Sequence, residues 1–137
     1  MNAPDDLLAR LRAINETAAF NRYYGFEVVS AQPGAVELAM PWRAEAGQYS
    51  GYLHAGLIGA LIDTACGYAA GTLGGRSLAA SFSVSCLRPA VGERFVARAR
   101  VVKPGRTVSF TACELYAQKD GAEKLVATGE TLLLQQT

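Results

Sequence analysis

The longest apolar stretch of the chain runs from His54 to Ala70 and carries a single charge, Asp63, in its middle. Placed on an α-helix at about 100° per residue, this stretch separates into a bulky side and a side of small residues. The bulky side holds Leu57, Ile58, Leu61, Ile62 and Tyr68, and the small side holds Gly56, Gly59, Ala60, Asp63, Cys66, Gly67 and Ala70. The pattern predicts a long helix that packs one side on a sheet and leaves the other open to a second backbone or a ligand.

Shorter patterns on either side of this stretch predict the remaining elements. An apolar stripe with helical spacing predicts a short helix over residues 5–19. Alternating segments bounded by turn residues predict strands at about 24–31, 35–41, 77–88, 93–103, 107–118 and 123–135. We therefore predict one α+β domain over residues 1–137, in which an antiparallel sheet wraps around a central helix at about residues 54–73.

The spacing of His54 and Asp63 constrains any shared chemistry. Nine residues of α-helix place two positions roughly 13 Å apart along the axis and turn them to opposite sides. If both residues act in one reaction, two copies of the helix must meet, so that one chain supplies the helix start and the other the carboxylate. The alternatives are that His54 caps the helix and that Asp63 bonds a buried backbone group. Because desolvating a solitary carboxylate is costly, we favour a functional Asp63.

Composition narrows the classes of function. The formal net charge is +1, and the basic residues are not interleaved with aromatic ones, which argues against nucleic-acid binding. Three cysteines and one histidine follow no metal or disulfide spacing, so we expect no metal site. The first residues lack the basic and apolar regions of a signal peptide, and the central Asp63 argues against a membrane span. We expect a cytoplasmic protein.

From about Asn21 onward the chain resembles the hotdog-fold acyl-CoA thioesterases of the phenylacetic-acid-degradation type. The sharpest part of the resemblance is Gln48-x-x-Gly51-x-Leu53-His54-Ala55-Gly56, with Asp63 nine residues after the histidine. Supporting it are Leu87-Arg88-Pro89 and Lys103-x-Gly105-Arg106. The usual pattern of the family has Asn six residues before His and has His-Gly-Gly at the helix start. In this sequence Gln48 and Ala55 stand in those places.

The resemblance implies a hotdog fold and hydrolysis of an acyl-CoA thioester by a homodimer or a dimer of dimers. Asp63 corresponds to the family's base or nucleophile, and the backbone N–H of Ala55, next to Gly56, to the oxyanion donor. Gln48 takes the place of the residue that orients the thioester or the water, and His54 helps to set the loop. No cofactor is implied besides the coenzyme A of the substrate.

The basic residues that follow the central helix have two interpretations. Arg88, Lys103 and Arg106, with Gly105 in the hairpin, are expected either to meet the phosphates of coenzyme A at a boundary between chains or to belong to a solvated strand face. Cys66 lies one turn from Asp63, but a neighbouring carboxylate suppresses the thiolate, which favours an inert thiol. Among Ser77, Ser81, Ser83 and Ser85, one could line the pocket, but no nucleophile elbow is present.

Two other functions remain open at this point. A hotdog hydratase or dehydratase would act on the same class of thioester, but it typically places its acid and His at a different spacing. A non-catalytic acyl-CoA-binding protein is compatible with Gln48 and Ala55 in place of the family's residues.

Overall fold

The computed structural model describes residues 4–136, with side chains described from Asp6 onward. The predicted single domain spans residues 1–137, so the first three residues and the last residue of that prediction lie outside the described range. The elements are α1 (Pro4–Glu16), α2 (Ala19–Tyr24), β1 (Glu27–Gln32), β2 (Ala35–Pro41), a 3-10 turn (Ala44–Ala46), α3 (Ala55–Gly71), β3 (Arg76–Cys86), β4 (Arg94–Lys103), β5 (Val108–Lys119) and β6 (Ala122–Gln136).

The six strands form one antiparallel sheet in the order β1-β2-β4-β5-β6-β3, and α3 packs against β2, β3, β4, β5 and β6. The predicted elements are therefore all present, with bounds that differ by a few residues. The sequence did not predict α2 or the 3-10 turn, both of which are very short. Among the residues described, no helix is both long and apolar enough to cross a membrane.

The bulky side of α3 packs as predicted: Leu57, Ile58, Leu61 and Ile62 are buried against the sheet. The assignment of three small residues was wrong, because Gly59, Cys66 and Ala70 are also buried rather than open. The sheet curls around the helix, and nine of the 17 residues of α3 are buried. The open strip that remains includes Gly56, Ala60, Asp63, Thr64 and Gly67.

Tyr68 was also assigned to the wrong side, since it is only half-buried and lies beside α1 and α2. Its hydroxyl donates to Asn15 Oδ1 at 2.8 Å and accepts from Asn21 Nδ2 at 3.1 Å. Asn15 Nδ2 in turn donates to the carbonyl of Phe26 at 2.8 Å. These buried polar groups satisfy one another and fix the two N-terminal helices against α3.

Close approach of α3 to the sheet depends on Gly129 in β6. A Cβ atom at this position would lie 2.7 Å from Ile62 Cγ2 and 2.7 Å from the backbone oxygen of Ser83. The helix can therefore rest on the sheet only where β6 has no side chain.

We expect Gly129→Ala to lower the free energy of unfolding by about 1–3 kcal/mol, because helix and strand must move apart. The matched control is Gly67→Ala in α3, where an added Cβ meets nothing within 4 Å. That change should instead stabilise the protein by up to about 1 kcal/mol through helix propensity. Urea unfolding of both variants checks the pair, and equal effects in the two would contradict this packing.

Candidate active site

The start of α3 is set by the loop that precedes it. His54 has an extended backbone (φ −62°, ψ 138°) and donates its own N–H to the carbonyl of Ala46 at 2.9 Å. Its Nδ1 accepts a hydrogen bond from the N–H of Gly56 at 2.8 Å, as an N-cap residue does. The predicted alternative that His54 caps the helix therefore describes its contacts in the single chain.

This cap leaves one amide free at the helix start. Within the described residues, the N–H of Ala55 has no hydrogen-bond partner, whereas that of Gly56 is used by His54. A Cβ at Gly56 would lie 2.9 Å from His54 Nδ1, so the cap requires glycine there. The free Ala55 donor and the positive end of the helix dipole together favour an anionic oxygen at this point.

The helix start opens into a pocket of about 500 Å³ at one end of β3. Four of the predicted site residues line it, namely Gln48, His54, Ala55 and Arg88. The Oε1 atom of Gln48 accepts from the N–H of Ser50 within the loop. The Gln48 side chain therefore keeps its Nε2 group as a donor.

Asp63 faces a different pocket, of about 530 Å³, between α1, α3 and the first half of β3. The carboxylate is half-buried, and burial raises its pKa above the ordinary range of an aspartate. It makes no hydrogen bond or ion pair with the part of the chain described, so the alternative of a bonded structural carboxylate does not hold within one chain. Thr64 and Ser77 lie on the same pocket wall.

The two pockets share no lining residue. Ala55 and Asp63 are eight residues apart on one continuous helix, or roughly 12 Å along its axis. The single chain therefore brings Gln48, His54 and Ala55 together and keeps Asp63 apart from them.

The residues expected to meet coenzyme A are also divided. Arg88 lines the helix-start pocket, whereas Lys103, Gly105 and Arg106 form the β4–β5 hairpin at the opposite end of the sheet. The Gly105 N–H donates to Ser109 Oγ at 3.3 Å, and a Cβ there would collide with the carbonyl of Val108. Gly105 is thus needed for the hairpin itself.

The charged face of β4 is largely neutralised by neighbouring strands. Arg98 Nε donates to Glu37 Oε2 at 2.7 Å, and Arg98 Nη1 donates to Glu123 Oε1 at 2.6 Å. Arg94 Nη2 lies 3.7 Å from Glu27 Oε1. Arg94 and Arg98 thus belong to the solvated outer face that the sequence suggested as one of the two alternatives.

Sequence analysis did not predict that Arg10 and Arg76 line the Asp63 pocket, nor that Tyr68 contacts the N-terminal helices there. Asn15 carried a usable signal, because it continues the spacing of Leu7 and Leu11, which are both buried. A polar side chain on the buried stripe of a helix requires a partner.

Cys66 is buried and lines neither pocket. The pKa of its neighbour Cys113 is raised by the hydrogen bond between the two thiols and by burial.

Comparison with known proteins identifies the family. The family model described as "Thioesterase superfamily" matches residues 50–124, which include the α3 residues of both pockets. Human acyl-coenzyme A thioesterase 13 is 32% identical over 123 residues, covering 87% of this chain and 86% of that protein. The chain belongs to the thioesterase superfamily.

Solved structures agree with this assignment. A thioesterase family protein from Silicibacter pomeroyi is 38% identical, with a TM-score of 0.90 over 93% of this chain and 96% of that one. The PaaI protein of the E. coli phenylacetic acid degradation operon shares the fold, with a TM-score of 0.89 at 22% identity, over 99% of this chain and 97% of that one. The predicted hotdog fold and the predicted thioester hydrolase class are thus confirmed for this thioesterase superfamily member.

The N-cap generates a prediction about stability. Replacing His54 by Ala removes the acceptor for the Gly56 N–H and should lower the free energy of unfolding by about 0.5–2 kcal/mol. His54→Asn supplies another capping acceptor and should recover most of that loss. Urea unfolding of the two variants measures the difference; equal destabilisation by Asn and Ala would show that the ring does not act as a cap.

Proposed function

We propose that the protein hydrolyses an acyl-CoA thioester to the free acid and coenzyme A, without a resident metal or redox cofactor. The observation that carries the proposal is Asp63, a half-buried carboxylate with no partner in its own chain, facing a pocket. Family membership supports the reaction class, and the name of the human relative supports coenzyme A as the thiol.

The helix start supplies the electrophilic side of the reaction. A thioester carbonyl oxygen placed on the Ala55 N–H meets a donor that the chain leaves free. Negative charge that develops on this oxygen in the transition state is stabilised by that N–H and by the helix dipole. One such donor typically contributes about 2.7–4 kcal/mol.

The carboxylate must come from a second copy of the chain, and β3 offers the contact. This strand is at the edge of the sheet, and its Leu78 and Phe82 are exposed by 62% and 50%. An unprotected edge with apolar side chains is a template for pairing with another strand. We therefore propose a homodimer in which the two β3 strands pair antiparallel.

A two-fold axis near the middle of β3 has a definite consequence for the pockets. The Asp63 pocket is lined by residues 76–79 at one end of the strand, and the helix-start pocket by residues 86–90 at the other. Antiparallel self-pairing turns one end of β3 toward the partner's other end. It thus moves each Asp63 pocket toward the partner's Ala55. A dimer of dimers and a cytoplasmic location remain predictions.

The same pairing supports the proposed coenzyme A contacts. It carries the hairpin with Lys103, Gly105 and Arg106 of one chain toward the end of β3 that precedes Arg88 of the other. Cations from two chains then flank the entrance to one composite site. Arg88, Lys103 and Arg106 are the proposed phosphate contacts, and Gly105 shapes the hairpin that presents two of them.

Asp63 has two chemically balanced routes. As a base it takes a proton from water while the hydroxide oxygen bonds to the carbonyl carbon; the coenzyme A thiolate then leaves and recovers that proton. As a nucleophile its oxygen bonds to the carbonyl carbon and expels the thiolate; water then cleaves the anhydride to the free acid and the Asp63 carboxylate, and a proton of that water goes to the thiolate. Gln48 Nε2 and His54 lie where they would orient the thioester or the water.

The test is Asp63→Asn. We expect kcat/KM for acyl-CoA hydrolysis to fall by about 10²–10⁴-fold, because the group that accepts the proton or attacks is lost. Removing a carboxylate whose pKa is raised by burial should not destabilise the fold. If Asp63→Asn raises the free energy of unfolding, the full increase is expected at a pH above the pKa of Asp63 in the folded protein. The increase should disappear at a pH below the pKa of an aspartate in the unfolded chain, about 3.9.

The pH profile follows from the same shift. Since the active form is the carboxylate, wild-type kcat/KM should fall as pH decreases through the raised pKa of Asp63, at higher pH than for an ordinary aspartate. The control is Asp120→Asn, an exposed turn residue with φ 52° that Asn adopts readily, which should leave rate and profile unchanged. A folded Asp63→Asn enzyme with wild-type turnover would refute the proposal, and coenzyme A binding without hydrolysis by the wild type would indicate a non-catalytic binder.

A further inference from the structure

Four buried polar side chains lie together between α3 and the sheet. Cys66 of α3 and Cys113 of β5 have exposed fractions of 0% and 1%, and Thr111 of β5 and Thr131 of β6 have 2% and 1%. None of them lines the Asp63 pocket or the helix-start pocket. The proposed hydrolysis uses none of the four, so this thiol cluster has no part in the mechanism described above.

The strand register places the thiol cluster where α3 comes closest to the sheet. Cys113 pairs with Gly129, whose missing side chain makes room for Ile62 of α3. Cys66 follows Ile62 by four residues, so it lies one helical turn further along the same face. The cysteine of the helix therefore lies over the strand that carries the other cysteine.

The two thiols are in contact with each other. A hydrogen bond joins Cys66 and Cys113, although the two residues are far apart in the chain. Because α3 is a continuous helix and β5 is an interior strand of the sheet, neither residue leaves its position readily. The third cysteine, Cys86, is exposed at the end of β3. The fold thus holds one pair of neighbouring thiols, which is the arrangement that a disulfide requires, and one separate thiol.

The surroundings of Cys66 favour its thiolate. The hydrogen bond from Cys113 has the largest effect and lowers the pKa of the Cys66 thiol. Burial acts in the opposite direction, and so does the charge of Asp63, whose effect is the smallest. Among the described side chains, the Thr131 hydroxyl is buried without a hydrogen-bond partner. It lies close enough to Cys66 to donate to a negative sulfur, and the thiolate is the form that attacks an oxidant.

We propose that Cys66 and Cys113 form a redox-sensitive pair, which a peroxide oxidises to a disulfide between α3 and β5 and which a dithiol reduces again. The Cys66 sulfur bonds to one oxygen of hydrogen peroxide, the O–O bond breaks, and the other oxygen leaves as water with the thiol proton. The Cys113 sulfur then bonds to the Cys66 sulfur and displaces the hydroxyl group, which takes the Cys113 proton and leaves as a second water. The two thiols give up two electrons, and the peroxide is reduced to two waters.

The disulfide acts on the candidate active site through α3. A disulfide is much shorter than a contact between two thiols, so its formation draws Cys66 toward β5. Asp63 lies three residues before Cys66 on the same continuous helix and moves with it. A shift of about 1 Å at a reacting group can cost about 10²-fold in rate. The loss of activity rests on the proposed thioesterase function, whereas formation of the disulfide does not.

The test uses the Cys86→Ser protein, in which only the paired thiols remain, before and after treatment with hydrogen peroxide. We expect the treated protein to lose two hydrogen atoms by mass and, once unfolded, to bind no thiol-alkylating reagent. Proteolysis should then release one pair of peptides joined through Cys66 and Cys113. Because the thiols are buried, the oxidation waits for local opening of the structure and should take minutes to hours.

Activity is measured on the same Cys86→Ser protein in its two redox forms. We expect kcat/KM for acyl-CoA hydrolysis to fall by about tenfold or more on oxidation and to recover with dithiothreitol. The control carries Cys66→Ala together with Cys86→Ser, so that the attacking sulfur is missing. Its rate after peroxide treatment should equal its own rate before treatment, and it should form no cross-link.

The outcomes separate the redox pair from the proposed function. Two free thiols after a peroxide treatment that oxidises Cys86 in the wild type overturn the pair. A disulfide that forms without a change in kcat/KM overturns the proposed effect on α3. A disulfide that forms in a protein without acyl-CoA hydrolysis supports the pair and overturns the thioesterase function instead.

Discussion

The rigidity of α3 is the constraint on which the rest of the structure depends. An uninterrupted helix from Ala55 to Gly71 fixes its free N-terminal amide and its one carboxylate about 12 Å apart, and no rotation of side chains removes that separation. The sheet curls around the helix and leaves only a narrow strip of small residues open. The amide at one end of that strip and the carboxylate in its middle therefore open into separate pockets. In the function that we propose, each chain therefore holds two incomplete halves of a site, and the edge position of β3 allows a second chain to supply the missing half.

The same packing explains where glycine is needed and where it is not. Gly129 lets the sheet approach Ile62, and Gly56 makes room for the His54 ring that caps the helix. Gly67 has no such contact and opens onto the Asp63 pocket. The helix is thus tightly fitted on its sheet side and at its start, whereas its second half leaves space that the chain itself does not fill.

Much of the fold was predictable from the sequence, because α3 and the long hairpins carry strong periodicity and clear turn residues. The six-residue helix α2 was missed, because one and a half turns contain too few apolar positions to show a helical spacing. Cys66 was predicted to lie on the open side of α3, because a helical wheel assumes that the helix packs on a flat surface. The sheet is curved and also buries this position. For the site, residue spacing predicted that Asp63 and His54 do not meet in one chain. It could not show that His54 occupies the Gly56 amide, nor that Tyr68 is tied to Asn15 and Asn21, because these depend on side-chain geometry and on contacts between distant segments.

The central claim is that each site takes Ala55 from one chain and Asp63 from the other, and mixed dimers test it most directly. Ala55→Pro removes the free N–H at a first helical position that tolerates proline, and the extended backbone of His54 suits a residue before proline. Two differently tagged chains, one carrying Ala55→Pro and the other Asp63→Asn, are co-expressed, and the mixed dimer is purified. Each variant alone should be nearly inactive, whereas the mixed dimer holds one complete site and should show about half the wild-type activity per dimer. A pure mixed dimer with no more activity than either parent would contradict a site shared between chains.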